Sequence, residues 1–398
     1  MGREGRHRRI CIFTGARSEY GLLHPLMEEI REDRNLELCL LVSGMHLSPE
    51  FGMTFQEIEK DGFKIDEKVE ILMSSDSVTG VAKSMGIGLM GYADALERLT
   101  PDVIVLLGDR YETFCAAAAA VLHNIPIAHI HGGELTYGAW DDAFRHAVTK
   151  MSLLHFTCAG EYEKRVIQMG EHPHRVFNVG SLGVENIIKT ELPVKKDFFN
   201  FIGFDPVHAF LLITFHPVTR EGKKNGAYFS SLMEALSDKR FESYKLVFTK
   251  SNSDSYGRWM NQEIDRFVED HPKKSVSFDS MGQINYLNAM KYASAMVGNS
   301  SSGIIEAACF RLPVINIGNR QKGRIRARNV IDCDPEQQKI LQALEKGLSA
   351  SFRRSLKDME NPFQKDATAR TIKERIKNYD FLNQGGKEFF DIPPALKG

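Results

Sequence analysis

The 398-residue sequence lacks the features that mark several protein classes. Arg, Asp, Glu or Lys interrupts every long apolar run, so we expect no segment that crosses a membrane. The first residues, MGREGRHRRICIF, are basic but include no signal-peptide hydrophobic core. Neither sign of charge dominates, because 51 Lys and Arg stand against 52 Asp and Glu. A broadly basic surface that binds nucleic acid is therefore not expected.

Cysteine is scarce, and its spacing is irregular. The cysteines show no paired short spacing of the kind found in disulfide frameworks or zinc sites; they are Cys11, Cys39, Cys115, Cys158, Cys309 and Cys333. Several lie in apolar runs, where a cysteine usually acts as a small buried hydrophobic residue. This pattern favours a reducing compartment, and the cytoplasm is the predicted location.

Motifs for common cofactors and metals are also missing. The first predicted strand–turn–helix, CIFTGARSEYG, lacks a full G-x-G-x-x-G and does not support a dinucleotide cofactor. No helical HxxxH or HExxH spacing accompanies the acidic residues. His129 and His131 would share one face of a strand and could hold a metal, but a structural or substrate-facing role is the favoured interpretation. We predict no cofactor and no metal.

Short β-rich apolar runs do occur, and they alternate with stretches of helical spacing. The predicted strands are ICIFTG, LELCLLVSG, DVIVLLGD, IPIAHIHG, LLHFTCA and RVFNVGS, then AFLLITFHP, YKLVFTKSN, VSFDS, SAMVGNS and LPVINIG. Their apolar character on both faces is typical of a parallel sheet covered by helices. The alternation predicts an α/β fold.

The alternation breaks around residues 187–206, where two prolines and a charge cluster predict a linker and then a helix. The chain is also longer than one hydrophobic core usually fills. We predict an N-terminal Rossmann-like domain over 1–188, a C-terminal Rossmann-like domain over 189–370, and a helical tail over 371–398 that could pack back on the first domain. The two Rossmann-like domains are expected to face each other across a cleft.

The segment SAMVGNSSSGIIEAACF contains the clearest candidate for a phosphate site. A predicted strand ends at Val297, and a turn of small residues runs from Gly298 to Gly303. Backbone N–H groups in such a turn, with a helix behind them, bind a dianionic phosphate, and the hydroxyls of Ser300, Ser301 and Ser302 add donors. The alternative is a capped helix whose serines satisfy its first amides. Three serines between two glycines favour the ligand.

Two charged side chains could extend this site toward a nucleotide. Glu306 follows the serines by one helical turn, and a carboxylate there could accept hydrogen bonds from both ribose hydroxyls. Arg17 lies at the start of the first predicted helix, where its paired donors could clamp a diphosphate. Arg17 could equally be a surface arginine.

Acidic residues follow two successive predicted strands. Asp109 is the last residue of DVIVLLGD, Glu134 follows the next strand and two glycines, and Asp141 and Asp142 come shortly before Arg145. Acids gathered at one sheet edge shift one another's pKa, and one of them can hold a proton near neutral pH. Each alone could be structural, since Asp109 could cap a helix and Asp142 could pair with Arg145. Their clustering favours a functional role.

Two histidines occupy comparable positions at predicted strand ends. His216 precedes Pro217 in LLITFHPVTREG, and His46 lies in LLVSGMHLS. A lone histidine is more often a hydrogen-bonded structural residue than a catalytic one. The position at the edge of the predicted sheet allows a catalytic or phosphate-binding role for both.

Taken together, these motifs resemble those of the UDP-N-acetylglucosamine 2-epimerase family, from Ile10 to about Leu348. The motifs are GAR with Tyr20, GDRYE, HIHGGE followed by DDAFRH, TFHPVTRE, and GNSSSGIIEA followed by INIGNRQKGR. The combination is highly specific, although no single piece is. HGGE followed by DD and RH is similar to the hydrolysing branch, which includes the epimerases of sialic and legionaminic acid synthesis. The resemblance implies a GT-B architecture, a homo-oligomer (dimer or tetramer) and a nucleotide held mainly by the C-terminal domain.

The resemblance also implies roles for individual residues. Asp109, Glu134 and Asp142 are similar to the catalytic acids, and His216 to a catalytic or diphosphate-contacting histidine. The implied nucleotide contacts are Arg17, Arg110, Asn252, Ser300, Ser301, Glu306 and Arg320. Asn252 departs from the family pattern, because it lies in SNSDSYG rather than in a P-N-A-D-like run. Which carboxylate acts as acid and which as base stays open.

The implied reaction converts UDP-N-acetylglucosamine to N-acetylmannosamine and UDP. The carbon-2 proton is not next to a carbonyl, so loss of UDP is expected to precede or accompany proton removal, through a 2-acetamidoglycal that is then hydrated. Two carboxylates on opposite faces would serve this chemistry. The alternatives are the same chemistry on UDP-N,N'-diacetylbacillosamine, a non-hydrolysing epimerase, a GT-B glycosyltransferase and a non-catalytic UDP-sugar sensor.

Overall fold

The chain forms two compact units, each built around a parallel sheet. The computed structural model of the chain describes residues 7–73, 77–136, 140–218, 224–250, 257–381 and 387–393. Unit 1 comprises Met1–Glu134, Trp140–Asn186 and Phe363–Gly398, whereas unit 2 comprises Leu135–Ala139 and Ile187–Pro362.

Within the described residues, unit 1 contains a seven-stranded sheet with the order β3-β2-β1-β4-β5-β6-β7. Its strands are β1 (Arg8–Thr14), β2 (Leu36–Ser43), β3 (Glu67–Val69), β4 (Val103–Leu107), β5 (Ile127–Ile130), β6 (Leu154–Thr157) and β7 (Val176–Asn178). Its helices are α1 (Arg17–Arg31), α2 (Phe55–Lys60), α3 (Val78–Leu99), α4 (Tyr111–Leu122), α5 (Asp141–Met151) and α6 (Gly160–Gln168). Helix α7 (Leu182–Lys189) leads into unit 2. Every strand pair in this sheet is parallel.

The sheet of unit 2, in the described residues, has six parallel strands in the order β10-β9-β8-β11-β12-β13. Its strands are β8 (Phe210–Thr214), β9 (Lys245–Thr249), β10 (Ser275–Phe278), β11 (Ala295–Gly298), β12 (Val314–Ile317) and β13 (Val330–Cys333). Its helices are α8 (Lys195–Ile202), α9 (Lys224–Leu236), α10 (Gly257–Asp270), α11 (Gly282–Tyr292), α12 (Ser301–Ile305), α13 (Gln337–Leu348) and α14 (Ala350–Ser355). The last helix, α15 (Thr368–Asn378), belongs to unit 1.

Both sheets are buried on both faces, which explains the apolar runs of the sequence. Along β1, Ile10 and Ile12 pack into one hydrophobic cluster, while Cys11 and Phe13 pack into another. Successive side chains of a strand point to opposite faces, so a strand covered on both sides must be apolar at every position. The predicted α/β class with two parallel sheets is confirmed. The domain boundaries stay predictions.

The strand orders identify one point in each sheet where the chain direction across the sheet reverses. In unit 1 this point lies between β1 and β4, and in unit 2 it lies between β8 and β11. Ligands of open α/β sheets bind beyond the carboxyl ends of the strands at such a point. Asp109 follows β4, and Asn299 and Ser300 follow β11.

The C-terminal part of the chain completes unit 1. Ala369, Ile372 and Ile376 of α15 lie in the same cluster as residues of β1 and α1. The Arg8 side chain donates to the backbone oxygen of Lys377 at 2.6 Å. Among the described residues, no helix combines the length and apolarity needed to span a bilayer.

Candidate active site

Asp109 is brought to the carboxyl edge of the first sheet by a tight turn after β4. Gly108 has a φ of 77°, a left-handed conformation that glycine adopts without steric cost. The Asp109 side chain is 20% exposed and forms an ion pair with Arg145 of α5. Arg145 is itself only 4% exposed, so its charge lies in a largely buried position.

Glu134 lies at the end of the neighbouring strand, held by the turn His131–Glu134. Gly133 has a φ of 79°, and a Cβ atom there would lie 2.5 Å from the carbonyl oxygen of Tyr162. A larger residue therefore does not fit, which explains the second glycine of HGGE. The Glu134 carboxylate is buried, and its Oε1 lies 2.6 Å from His131 Nδ1 and 3.1 Å from Cys158 Sγ.

Helix α5 brings further acids to the same edge of the sheet. Burial opposes the charging of Arg145, but the surrounding carboxylates outweigh this effect and raise its pKa. Those carboxylates are Asp109, Glu134, Asp142 and Asp141. All four carboxylates raise the pKa of the same guanidinium. The acids predicted from two strand ends and one helix therefore lie around a single cation.

Asp141 and Asp142 occupy different environments, although they are adjacent in sequence. Burial, and then the charge of Asp109, raise the pKa of Asp141 to about 6. Asp142 instead pairs with His146 of the next helical turn, with 3.7 Å between Oδ2 and Nε2. The sequence analysis did not select Asp141, which the structure places half-buried and within the influence of the Asp109 charge.

A second acidic group surrounds Arg110. Its Nη2 and Nε donate to the two carboxylate oxygens of Glu112 at 2.8 and 3.2 Å, and Glu112 is fully buried. Glu19 accepts a bond from the Gly15 backbone at 2.7 Å. Burial outweighs the attraction of Arg110 and raises the pKa of Glu19 to about 7. The sequence analysis missed both glutamates, since each lies inside a helical stretch where an acid is normally solvated.

His46 and Arg17 make their side-chain contacts with other residues of unit 1. His46 is fully buried, with Nε2 3.0 Å from Thr14 Oγ1 and Nδ1 2.8 Å from Thr54 Oγ1. Burial lowers its pKa to about 4, so the ring is neutral at pH 7. Arg17 is 55% exposed and pairs with Glu57 of α2 at 3.0 Å.

The serine turn of unit 2 connects β11 to the short helix α12. Gly298 has a φ of 145°, and a Cβ there would overlap the carbonyl oxygen of Thr214. Ser300 is the N-cap residue of α12, and its hydroxyl accepts from the Ser302 backbone at 3.4 Å. Ser301 begins the helix, and Gly303 packs closely on Val314.

Hydroxyl groups form a continuous chain behind the serine turn. Ser300 Oγ lies 2.8 Å from Ser302 Oγ, which lies 2.7 Å from the hydroxyl of Tyr286. Tyr286 in turn lies 3.3 Å from Thr214 Oγ1. Burial raises the pKa of Tyr286 to about 12, so the hydroxyl keeps its proton. A phosphate accepting from this chain would receive a donor fixed by its neighbours.

Asn299 joins the serine turn to the segment that carries His216. The Asn299 side chain exchanges two hydrogen bonds with the backbone of His216, at 2.7 and 2.8 Å. Its backbone oxygen accepts from Arg320 at 3.1 Å and from Gln321 at 2.9 Å. Burial and then the charge of Arg320 lower the pKa of His216 to about 4. His216, Arg320 and the turn are therefore neighbours, whereas Asn252 lies outside the described residues.

Glu306, the C-cap residue of α12, is a half-buried acid whose carboxylate has no hydrogen-bond or ion-pair partner in the described part of unit 2. Burial alone raises its pKa to about 7. An acid held in this way favours a ligand that donates hydrogen bonds to it, such as a pair of hydroxyls.

The matches to known proteins agree with this arrangement. The family model described as UDP-N-acetylglucosamine 2-epimerase matches residues 28–377. The chain belongs to the UDP-N-acetylglucosamine 2-epimerase family.

Two relatives are similar to this chain over most of its length. One is the "GDP/UDP-N,N'-diacetylbacillosamine 2-epimerase (hydrolyzing)" of Campylobacter jejuni, which is 42% identical over 87% of this chain and 89% of the relative. The other is the "Polysialic acid biosynthesis protein P7" of Escherichia coli, 36% identical over 97% of this chain and 98% of the relative. The expected family, its hydrolysing branch and the expectation of an enzyme of this type are confirmed.

A solved member of the epimerase family shares the fold. The UDP-GlcNAc 2-epimerase of Neisseria meningitidis, solved with UDP-GlcNAc, superposes with a TM-score of 0.79 at 19% identity, covering 93% of this chain and 99% of that one. This likeness confirms the GT-B-like α/β fold class.

One group of side chains in this epimerase-family chain has the chemistry of a metal site. In the described residues, His131, Glu134 and Cys158 each place one ligand atom within 4.8 Å of the others. Nitrogen, carboxylate oxygen and thiolate are ligands that Zn²⁺ accepts. Hydrogen bonds from His131 and Cys158 to Glu134 account for the same convergence.

Proposed function

We propose that the chain is a hydrolysing UDP-sugar 2-epimerase whose substrate is UDP-N,N'-diacetylbacillosamine. The observation that carries the proposal is the placement of Asp109 and Glu134 after neighbouring strands, with Asp141 and Arg145 brought to them by α5. The reaction needs a proton acceptor and a proton donor, and this cluster supplies carboxylates in different electrostatic environments.

The residues of unit 2 would bind the nucleotide in this proposal. The serine turn and its hydroxyl chain would receive the phosphates, with Arg320 and His216 beside them. Glu306 would accept the ribose hydroxyls. Charge that develops on UDP as it leaves is stabilised by donors already in place, which lowers the barrier to breaking the anomeric C–O bond. Arg17 and Arg110 could add to this only by sharing their bonds to Glu57 and Glu112.

The acids of unit 1 would carry the proton transfers. As the C–O bond breaks, the neighbouring carbon becomes acidic, and a carboxylate takes the carbon-2 proton to leave a 2-acetamidoglycal and UDP. Water then adds its hydroxyl at the anomeric carbon, while a protonated acid delivers a proton to the opposite face of carbon 2. Substrate and one water give UDP and the manno-configured sugar.

The sugar assignment is supported by the relative that is 42% identical, whose name specifies diacetylbacillosamine. UDP-N-acetylglucosamine is the second candidate, because the family itself is described by that substrate. The two sugars differ at carbons 4 and 6, so a pocket made for one loses affinity for the other through unpaired or clashing groups. A homo-oligomer stays a prediction.

Proton NMR in deuterated water, with each UDP-sugar supplied separately, tests the proposal. We expect free UDP and a manno-configured sugar deuterated at carbon 2, with the larger kcat/KM for UDP-N,N'-diacetylbacillosamine. GDP-N,N'-diacetylbacillosamine serves as the nucleotide control. Deuterium in a sugar still joined to UDP would assign a non-hydrolysing epimerase instead, and UDP binding without turnover would contradict an epimerase altogether.

A further inference from the structure

His131 and Cys158 bind the same oxygen of Glu134. His131 Nδ1 lies 2.6 Å from Glu134 Oε1, and Cys158 Sγ lies 3.1 Å from it. Glu134 is 4% exposed, so this carboxylate relies on protein donors in place of water. The mechanism proposed above uses Glu134 but gives no role to either donor.

Both donors are fixed by the ends of two neighbouring strands. His131 follows β5, and its backbone N–H donates to the carbonyl of Phe156 in β6 at 2.9 Å. Its φ of 66° lies in the left-handed region, which residues other than glycine seldom adopt and which His, Asn and Asp adopt more often than the rest. Cys158 follows β6 and is buried. Arg165 of α6 donates to the carbonyl of Gly133. The turn that carries Glu134 is therefore held at several points.

We propose that His131, assisted by Cys158, is the positioning residue that keeps Glu134 an oriented anion and so makes Glu134 the acceptor of the carbon-2 proton. Hydrogen bonds to a carboxylate favour its ionised form. Arg145 on α5 acts in the same direction, whereas Asp109, which pairs with Arg145, competes for its charge. This assignment rests on the proposed function and leaves the proton donor among Asp109, Asp141 and Asp142.

The alternative role for His131 is as an acid or base in its own right. In the described residues, its Nε2 has no hydrogen-bond partner, and only Nδ1 is engaged with Glu134. Two substitutions separate the roles. His131→Asn places an amide nitrogen near the position of Nδ1 but carries no titrating ring, and His131→Gly removes the donor. Both residues tolerate the left-handed backbone, so the turn is preserved.

The pH profile of kcat gives the first readout. We expect His131→Asn to keep the wild-type profile, and His131→Gly to move the acid limb up by about one pH unit, with about tenfold lower kcat below that limb. KM should change little, because the donor does not contact the substrate. Cys158→Ser should retain turnover, since serine still donates, while Cys158→Ala should shift the limb in the same direction as His131→Gly.

Two results would overturn this role. If His131→Asn loses as much activity as His131→Gly, the ring itself is required. If both variants match the wild type, the bond has no function. A loss of activity in EDTA that Zn²⁺ restores would instead assign the three atoms as metal ligands.

A second measurement does not depend on turnover. Carboxyl ¹³C NMR of glutamate-labelled protein follows the ionisation of Glu134 directly, with Glu134→Gln identifying the resonance. We expect the titration midpoint to be higher in His131→Gly than in the wild type and unchanged in His131→Asn. An equal midpoint in all three proteins would refute the positioning role even if the substrate differs from the one proposed. Thermal melting of each variant checks that the fold is retained.

Discussion

Arg145 carries a buried positive charge in unit 1. The guanidinium is 4% exposed and pairs with Asp109, so the charge is tolerated only while acids remain beside it. Removing one partner from a buried pair leaves the other charge uncompensated, which commonly costs about 3–5 kcal/mol. Asp109 therefore has a part in stability as well as in the proposed chemistry.

Asp109→Asn tests both parts. We expect kcat to fall about 10²- to 10⁴-fold, as for the loss of a proton-transfer group. The free energy of unfolding should fall by about 1–3 kcal/mol, less than for a fully buried pair, because Asp109 is partly exposed and other carboxylates remain near Arg145. Urea denaturation and steady-state kinetics measure the two effects, and the exposed Asp94→Asn is the matched control. Unchanged turnover would remove Asp109 from the mechanism.

The proposed contact of Glu306 with the ribose predicts that UDP binding depends on pH. Its pKa of about 7 lies above the ordinary 4.5, so ionisation destabilises the folded protein as pH rises through this window. Glu306→Gln should raise Tm at pH 8 in the absence of ligand and weaken UDP binding. Titration calorimetry between pH 6 and 8 should show that the UDP affinity of the wild type rises more steeply with pH than that of the variant. The remaining pH dependence of UDP affinity in the variant comes from the UDP phosphate, which titrates near pH 6. Equal slopes would mean that Glu306 does not contact the ribose.

At the scale of elements, helix α5 is fixed at both ends. Asp141, Asp142 and Arg145 occupy its first half, whereas its last carbonyls accept from Lys387, far away in sequence. Lys387 Nζ lies 2.6 Å from the carbonyl of Lys150 and 2.7 Å from that of Ser152. Terminal carbonyls of a helix lack partners within it, so an ammonium there stabilises the helix end.

Lys387→Met should therefore weaken unit 1 through α5. We expect unfolding free energy to fall by about 1–3 kcal/mol, because the carbonyls and the buried Glu171 carboxylate lose a charged donor. Differential scanning calorimetry compares it with Lys60→Met, which alters an exposed lysine on α2. If both variants have the same melting temperature as the wild type, Lys387 does not stabilise α5.

Glu171 makes the stability of the contacts around α5 depend on pH. Burial alone would raise its pKa, but hydrogen bonds from His155, Lys150 and Lys387 outweigh burial and lower the pKa to about 2. The ordinary value is 4.5, so the stabilisation is complete above pH 4.5 and is lost as pH falls toward 2. Acid unfolding followed by circular dichroism should be flatter across this range for Glu171→Gln, which should also be less stable at pH 7. A parallel pH dependence in both proteins would contradict the network.

At the scale of the whole molecule, unit 1 is discontinuous in sequence. Helix α15 packs against α1, and Lys377 pairs with Asp33 at 2.7 Å. A chain ending at Pro362 would expose the apolar surface that Ala369, Ile372 and Ile376 cover, whereas 187–362 contains nearly all of unit 2. We expect the 187–362 fragment to unfold cooperatively and bind UDP, and the 1–362 fragment to show no cooperative unit 1 transition. Denaturation followed by fluorescence measures these transitions. Two complete unfolding transitions in the 1–362 fragment would contradict the prediction.

The sequence predicts the sheets well where strands are buried on both faces. The run VIVLL is apolar throughout because both of its faces are buried, and Asp109 follows it after one glycine. The strands β3 and β13 escape prediction, because they are short and carry charged residues.

What the sequence does not predict depends on contacts between distant segments. The position of α5 decides that the charge of Asp109 acts on Asp141. The ion pair of Arg145 with Asp109 and the contact of Lys387 with α5 appear only once the segments are docked. No local pattern of residues encodes either contact.

The return of the last segment to the first unit sets an order for biosynthesis. On the ribosome, the residues of unit 2 emerge while unit 1 still lacks α15 and Lys387, so unit 2 can fold first around its own sheet. Helix α5, which carries Asp141 and Arg145, gains its contact with Lys387 only after residue 387 has left the exit tunnel. A nascent chain that stops before α15 would therefore form the serine turn of unit 2 before α5 is held at both ends.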